Sequence, residues 1–174
     1  MAFTSPSDDR PARSTLRVRI AGTGLALCVL VVLLATMWPT PLDRGFESSI
    51  DRLLDVLHRN GIPTWFGYNK LEFSANIGMF VPVGFLIALV LPARAWWVAL
   101  ILSPLLSVAI EASQAAFLTA RFATPMDVLA NSLGAIVGIF LAVVLRHIVY
   151  ARDQKVIAQA IWEMRRGQVP TALK

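Results

Sequence analysis

The feature that most constrains this chain is a set of apolar runs about as long as a bilayer is thick. The first reads "IAGTGLALCVLVVLLATM", from Ile20 to Met37. At the α-helical rise it spans about 27 Å, close to a hydrocarbon core of roughly 30 Å. A soluble domain of 174 residues would alternate apolar stripes with charged faces, whereas here 56% of residues are apolar, in long blocks, and 16% are charged. Mean hydropathy is +0.64. These features imply an all-α integral membrane protein, a four-helix bundle. The net charge of +5 is concentrated near the termini, where it acts as an orientation signal and a contact for lipid headgroups. No basic face is interleaved with stacking aromatics, so nucleic acid is not an expected partner. Cys28 is the only cysteine and forms no internal disulfide. His58 and His147 lie in different segments without metal-ligand spacing and read as interface residues. Neither a metal nor a cofactor is expected.

Residues 1–19 are polar and rich in Ser, Pro and Arg, which suits a disordered cytoplasmic N-terminus, with the disorder reaching to about Thr15. The block after them is longer than the apolar region of a usual signal peptide, and "ATMWPTP" is a poor cleavage site, so 20–37 is expected as a retained span. "PLDRGFESSIDRLLDVLHRNGIP" is different. Phe46, Ile50, Leu53, Leu54 and Leu57 fall on one helical face. Asp43 is positioned to cap this helix, and Asn60-Gly61 with Pro63 to stop it. It is too polar to span and reads as an outer amphipathic helix, about 46–59, lying in the membrane interface. Trp65, Phe66 and Tyr68 mark the headgroup level at which the chain returns. Further spans follow at about 72–91, 96–118 and 125–150, making a transmembrane domain of residues 20–150. The segment 151–174 reads as a cytoplasmic, basic, interfacial amphipathic tail.

Orientation follows the basic residues. Arg10, Arg13, Arg17 and Arg19 precede the first span, Arg94 lies in the turn between spans two and three, and Arg146, Arg152, Lys155, Arg165 and Arg166 end the chain. The positive-inside rule therefore places both termini in the cytoplasm of a multi-pass cell-membrane protein. The loop 39–71 also holds Arg44, Arg52, Arg59 and Lys70, which weakens the asymmetry, and it faces outward in this arrangement.

The spans are not purely apolar. Glu72 and Asn76 are spaced i, i+4. Ser103, Ser107, Glu111 and Gln114 form a stripe, as do Asp127, Asn131, Gly134 and Gly138. With the orientation above, Asn76, Glu111 and Asn131 fall at matching depth toward the outer face. Gly134-x-x-x-Gly138 permits close helix approach, and Pro82 and Pro104 free backbone carbonyls within their spans. Asn, Gln and Ser in membranes often act as interhelical glue worth about 1 kcal/mol or less each, and that reading covers Asn76, Asn131, Gln114 and the serines. It covers Glu111 less well, because a mid-span carboxylate costs about 2.5–3.5 kcal/mol on insertion scales. Glu111, Asp127 and Arg121 in the short outer loop are thus candidates for a binding site, with a rim salt bridge as the simpler role for Arg121.

"EFSANIGMFVPVGF", "IEASQ", Arg121 and "DVLANSLGAIVG", in this order and spacing, resemble the VanZ-like family of small bacterial membrane proteins over residues 70–145. The positions carrying the likeness are Asn76, Phe80, Pro82, Gly84, Glu111, Gln114, Arg121, Asp127, Asn131, Gly134 and Gly138. Ser132 stands where members usually have Thr, and Pro125 where a more flexible or acidic residue is common. The family's founding member is associated with resistance to the glycopeptide teicoplanin, so the resemblance implies a cell-envelope setting without implying a reaction. Three functions are therefore open. One is binding of a membrane lipid or lipid-linked cell-wall precursor in an outward polar cavity lined by Glu72, Asn76, Glu111, Gln114, Arg121, Asp127 and Asn131. The second is an enzyme on such a lipid, with Glu111 as general base and Glu72 or Asp127 helping to hold a divalent cation. The third is a structural or partner-binding bundle using the 46–58 helix. The sequence does not fix the oligomeric state.

Overall fold

The computed structural model describes residues 15–38, 45–118 and 124–167. Those residues are mostly helical, with no strand among them: α1 (Thr15–Thr36), α2 (Glu47–Arg59), α3 (Tyr68–Val90), a 3-10 segment (Ala93–Val98), α4 (Ala99–Phe117) and α5 (Pro125–Gly167). Four segments, Thr15–Thr36, Tyr68–Val90, Ala93–Phe117 and Pro125–Gly167, are long and apolar enough to cross a membrane. Large apolar side chains remain uncovered on the first, third and fourth of these, among them Leu27, Leu34, Trp97, Leu105, Val108 and Phe140. Such a surface is stable against lipid and not against water.

The core is correspondingly thin and built of small or slender residues: Val32, Phe80, Val83, Ile87, Ala88, Ala99, Ile110, Ile139 and Ala142. Its axis is the pair α3 and α5, which run parallel and make the most extensive helix contact. Glycine makes their approach possible. A Cβ at Gly84 would fall on the backbone of Ala135, one at Gly134 on the carbonyl of Ile77, and one at Gly138 on the carbonyl of Val81. With no water to drive helices together in lipid, this backbone contact supplies the attraction. α4 packs against α5, and α1 against α3.

α1 starts at Thr15, so Arg17 and Arg19 belong to its first turns; the residues before Thr15 lie outside the described ones. α3 likewise starts at Tyr68, a turn before Glu72. In α2 the N-cap position is Phe46, which makes no capping hydrogen bond; Glu47 Oε1 instead accepts from Gly45 N at 3.1 Å, and Asp43 lies outside the described residues. The other end of α2 matches its sequence signal. Gly61 N donates to His58 O at 3.2 Å and Ile62 N to Leu57 O at 3.0 Å, with Gly61 at φ +95°, a Schellman stop. No residue of α2 is buried.

The helix that contains the fourth span does not end at Tyr150. α5 continues without a break to Gly167, 43 residues in all, or about 64 Å at the helical rise. Between Gly138 and Gly167 there is no Pro or Gly to stop it. The tail is thus an extension of α5, exposed throughout residues 151–167, with the Arg166 guanidinium 4.0 Å over the Trp162 ring.

Candidate functional site

The polar groups form a series of steps down one end of the bundle, where α3 and α5 begin and α1 and α4 end. The first step is the start of α5. Thr124 Oγ1 accepts from Asp127 N at 3.3 Å and donates to Asp127 Oδ2 at 2.8 Å, while Pro125 opens the helix. This is a capping box with Asp in the acidic position. Asp127 Oδ1 in turn accepts from Asn76 Nδ2 at 2.9 Å, tying α3 to α5. Both carboxylate oxygens of Asp127 therefore serve the fold. Glu72 is exposed one turn before Asn76.

The second step joins α4 to α1. Gln114 is 6% exposed, and its Nε2 donates to Thr36 O at 2.8 Å. Thr36 is the last residue of α1, so its carbonyl is among those a helix end leaves without an intrahelical donor. Glu111, one turn deeper in α4, is partly buried and its Oε2 is shielded from the surroundings. That carboxylate oxygen does not face lipid.

The third step lies in the interior. Asn131 Nδ2 donates to Ser107 Oγ at 2.9 Å, with Asn131 3% and Ser107 0% exposed. Among the described residues, Asn131 Oδ1 and the hydroxyl of Ser103, both buried, have no hydrogen-bond partner. A buried acceptor left unmet costs about 1–3 kcal/mol, so among the described residues the carbonyl of Asn131 keeps an open hydrogen-bonding position. Other hydroxyls are not available in this way: Ser74, Ser113 and Ser132 donate to the carbonyls of Lys70, Ala109 and Val128 on their own helices.

The structure thus joins Asn76 to Asp127 and Asn131 to Ser107, and links Gln114 to α1 rather than to the other amides. Arg121 lies outside the described residues. Pro82 and Pro104 sit inside α3 and α4, leaving the carbonyls of Gly78 and Leu100 without their usual donors. Among the described residues no three His, Cys, Asp or Glu come together to hold a metal ion. Sequence reasoning missed Thr36 and Thr124. The first acts through its backbone, which carries no residue signature; the second was legible as Thr-Pro-x-Asp before an apolar run.

It also missed Arg146, at the opposite end. Its Nη2 donates to Leu89 O at 2.8 Å and to Leu91 O at 2.7 Å, so a guanidinium from α5 caps the carbonyls where α3 stops before Pro92.

Compared with known proteins, residues 23–146 match the family model described as VanZ/LLP1. No curated protein and no solved structure gives a significant match.

Proposed function

The chain belongs to the VanZ/LLP1 family, and from that premise we propose that it is a multi-pass protein of the bacterial cell membrane that binds the headgroup of a lipid-linked cell-wall precursor. The binding site is the stepped polar layer, opening away from the cytoplasm, with both termini cytoplasmic and α2 resting in the outer interface. The uncovered apolar face of α2, Phe46 and Leu53 included, suits that position. Through its hold on the precursor the protein influences susceptibility to glycopeptide antibiotics.

The observation that carries this reading is the Asn131 carbonyl. It is buried and unmet among the described residues, at the foot of a layer that also holds the shielded Glu111 carboxylate. A headgroup rich in hydroxyl and amide N–H groups supplies the donor that the Asn131 carbonyl lacks. Arg121, in the loop above, provides a fork-shaped donor for phosphate. Asn76 and Asp127 clamp the mouth by holding α3 and α5 together.

The test is equilibrium binding of a fluorescent lipid-linked precursor to the purified full-length protein in nanodiscs. Asn131→Leu, Glu111→Gln and Arg121→Ala are each expected to weaken binding about tenfold or more, the scale of one lost hydrogen bond to a buried or charged group. Binding that all three variants leave unchanged would overturn the proposal.

A further inference from the structure

At the end of the bundle opposite the polar layer, α1, α3 and α5 enclose an open groove of about 1370 Å³. Its walls are apolar, formed by side chains such as Leu86, Leu89 and Val149, and its rim carries Arg17, Arg146 and Arg152. One acidic residue, Asp153, shares the rim, leaving an excess of two positive charges. The three arginines sit where the spans leave the hydrocarbon. Arg17 is three residues before the apolar block that begins at Ile20, and Arg146 lies about 32 Å along α5 from Pro125, one bilayer thickness at the helical rise. The Arg146 guanidinium is held in place by the carbonyls of Leu89 and Leu91 and its Nη1 is shielded from the surroundings, so it acts on the groove through a charge fixed before anything binds.

We propose that this groove is a binding site for one anionic glycerophospholipid, its phosphate among Arg17, Arg146 and Arg152 and an acyl chain along the apolar wall. The two halves of the groove select the occupant together. A neutral lipid satisfies the wall and brings no net negative charge to the rim; a free phosphate does the reverse. Basic pockets between spans recognise anionic headgroups in this way. The site is separate from the polar layer and does not depend on the precursor-binding proposal.

Native mass spectrometry of the full-length protein, titrated with phosphatidylglycerol or phosphatidylcholine, tests it. Wild type is expected to bind one phosphatidylglycerol roughly thirtyfold more tightly than phosphatidylcholine, the combined effect of about two net cations at the headgroup level. In Arg17→Gln/Arg152→Gln the preference is expected to fall to about threefold or less, and in Arg152→Gln alone to an intermediate value. Both arginines are exposed, and the single variant keeps the test available if the double variant unfolds. Arg19→Gln/Arg165→Gln removes the same charge outside the groove and is expected to retain the preference. Equal affinity for the two lipids, an equal loss in the control variant, or displacement of the lipid by millimolar glycerol phosphate would overturn the proposal.

Discussion

Asn131 donates to Ser107 and keeps its own carbonyl buried, and the proposed binding role rests on that asymmetry, since interhelical glue needs only the donated bond. Asp127 falls on the other side of the line, since Asn76 and Thr124 occupy both its oxygens. The stripes Glu72–Asn76, Ser107–Gln114 and Asp127–Asn131 were readable because helical spacing and the cost of polar groups in lipid act on residue type alone. Which polar group meets which was not readable, because Gln114 pairs with a backbone carbonyl on α1 that looks like any other in the sequence. The glycines permit a sharp contrast. Gly138→Leu would drive a side chain into the carbonyl of Val81 and is expected to destabilise the protein by about 1–3 kcal/mol or more. Gly78, with nothing within 4 Å of the place an added methyl group would take, should accept Ala with no loss and a slight gain from helix propensity. Thermal unfolding in detergent compares the two; equal midpoints would mean that α3 and α5 do not meet backbone to backbone there.

Among the elements, the apolar blocks announced four helices long and apolar enough to cross a membrane, because each is about a bilayer long. The ends were harder to read. Gly61 marked the stop of α2 correctly, since only glycine adopts its positive φ without strain. Tyr150 did not stop α5, because a change from apolar to amphipathic composition breaks no backbone hydrogen bond, and nothing between Gly138 and Gly167 does so either. The C-terminus of α3 is finished by a residue 55 positions away, Arg146 on Leu91, which local sequence cannot foretell. Arg146→Leu leaves two terminal carbonyls of α3 without that donor. It is expected to lower stability by about 1–3 kcal/mol, well beyond the effect of Arg152→Gln on the exposed face nearby. Matching midpoints for the two variants in thermal unfolding would show that the cap does not contribute.

Taken whole, the molecule is a thin bundle held by the α3–α5 seam, with polar chemistry at one end and a basic, apolar-walled groove at the other. Its scaffold is shaped by lipid: the exposed faces of α1, α4 and α5 are apolar, and the interior holds Asn131, Ser107 and Gln114. Family membership joins the seam and the polar layer in one unit, since the matched stretch, residues 23–146, contains both. The most direct measurement is photo-crosslinking of a lipid-linked precursor that carries a diazirine on its headgroup, with the labelled peptides identified by mass spectrometry. The expected result is labelling within residues 72–76, 107–114 and 127–131, diminished by unlabelled precursor and by Asn131→Leu. Labelling confined to residues 145–157, or spread over the lipid-facing side of α1 without competition, would contradict it.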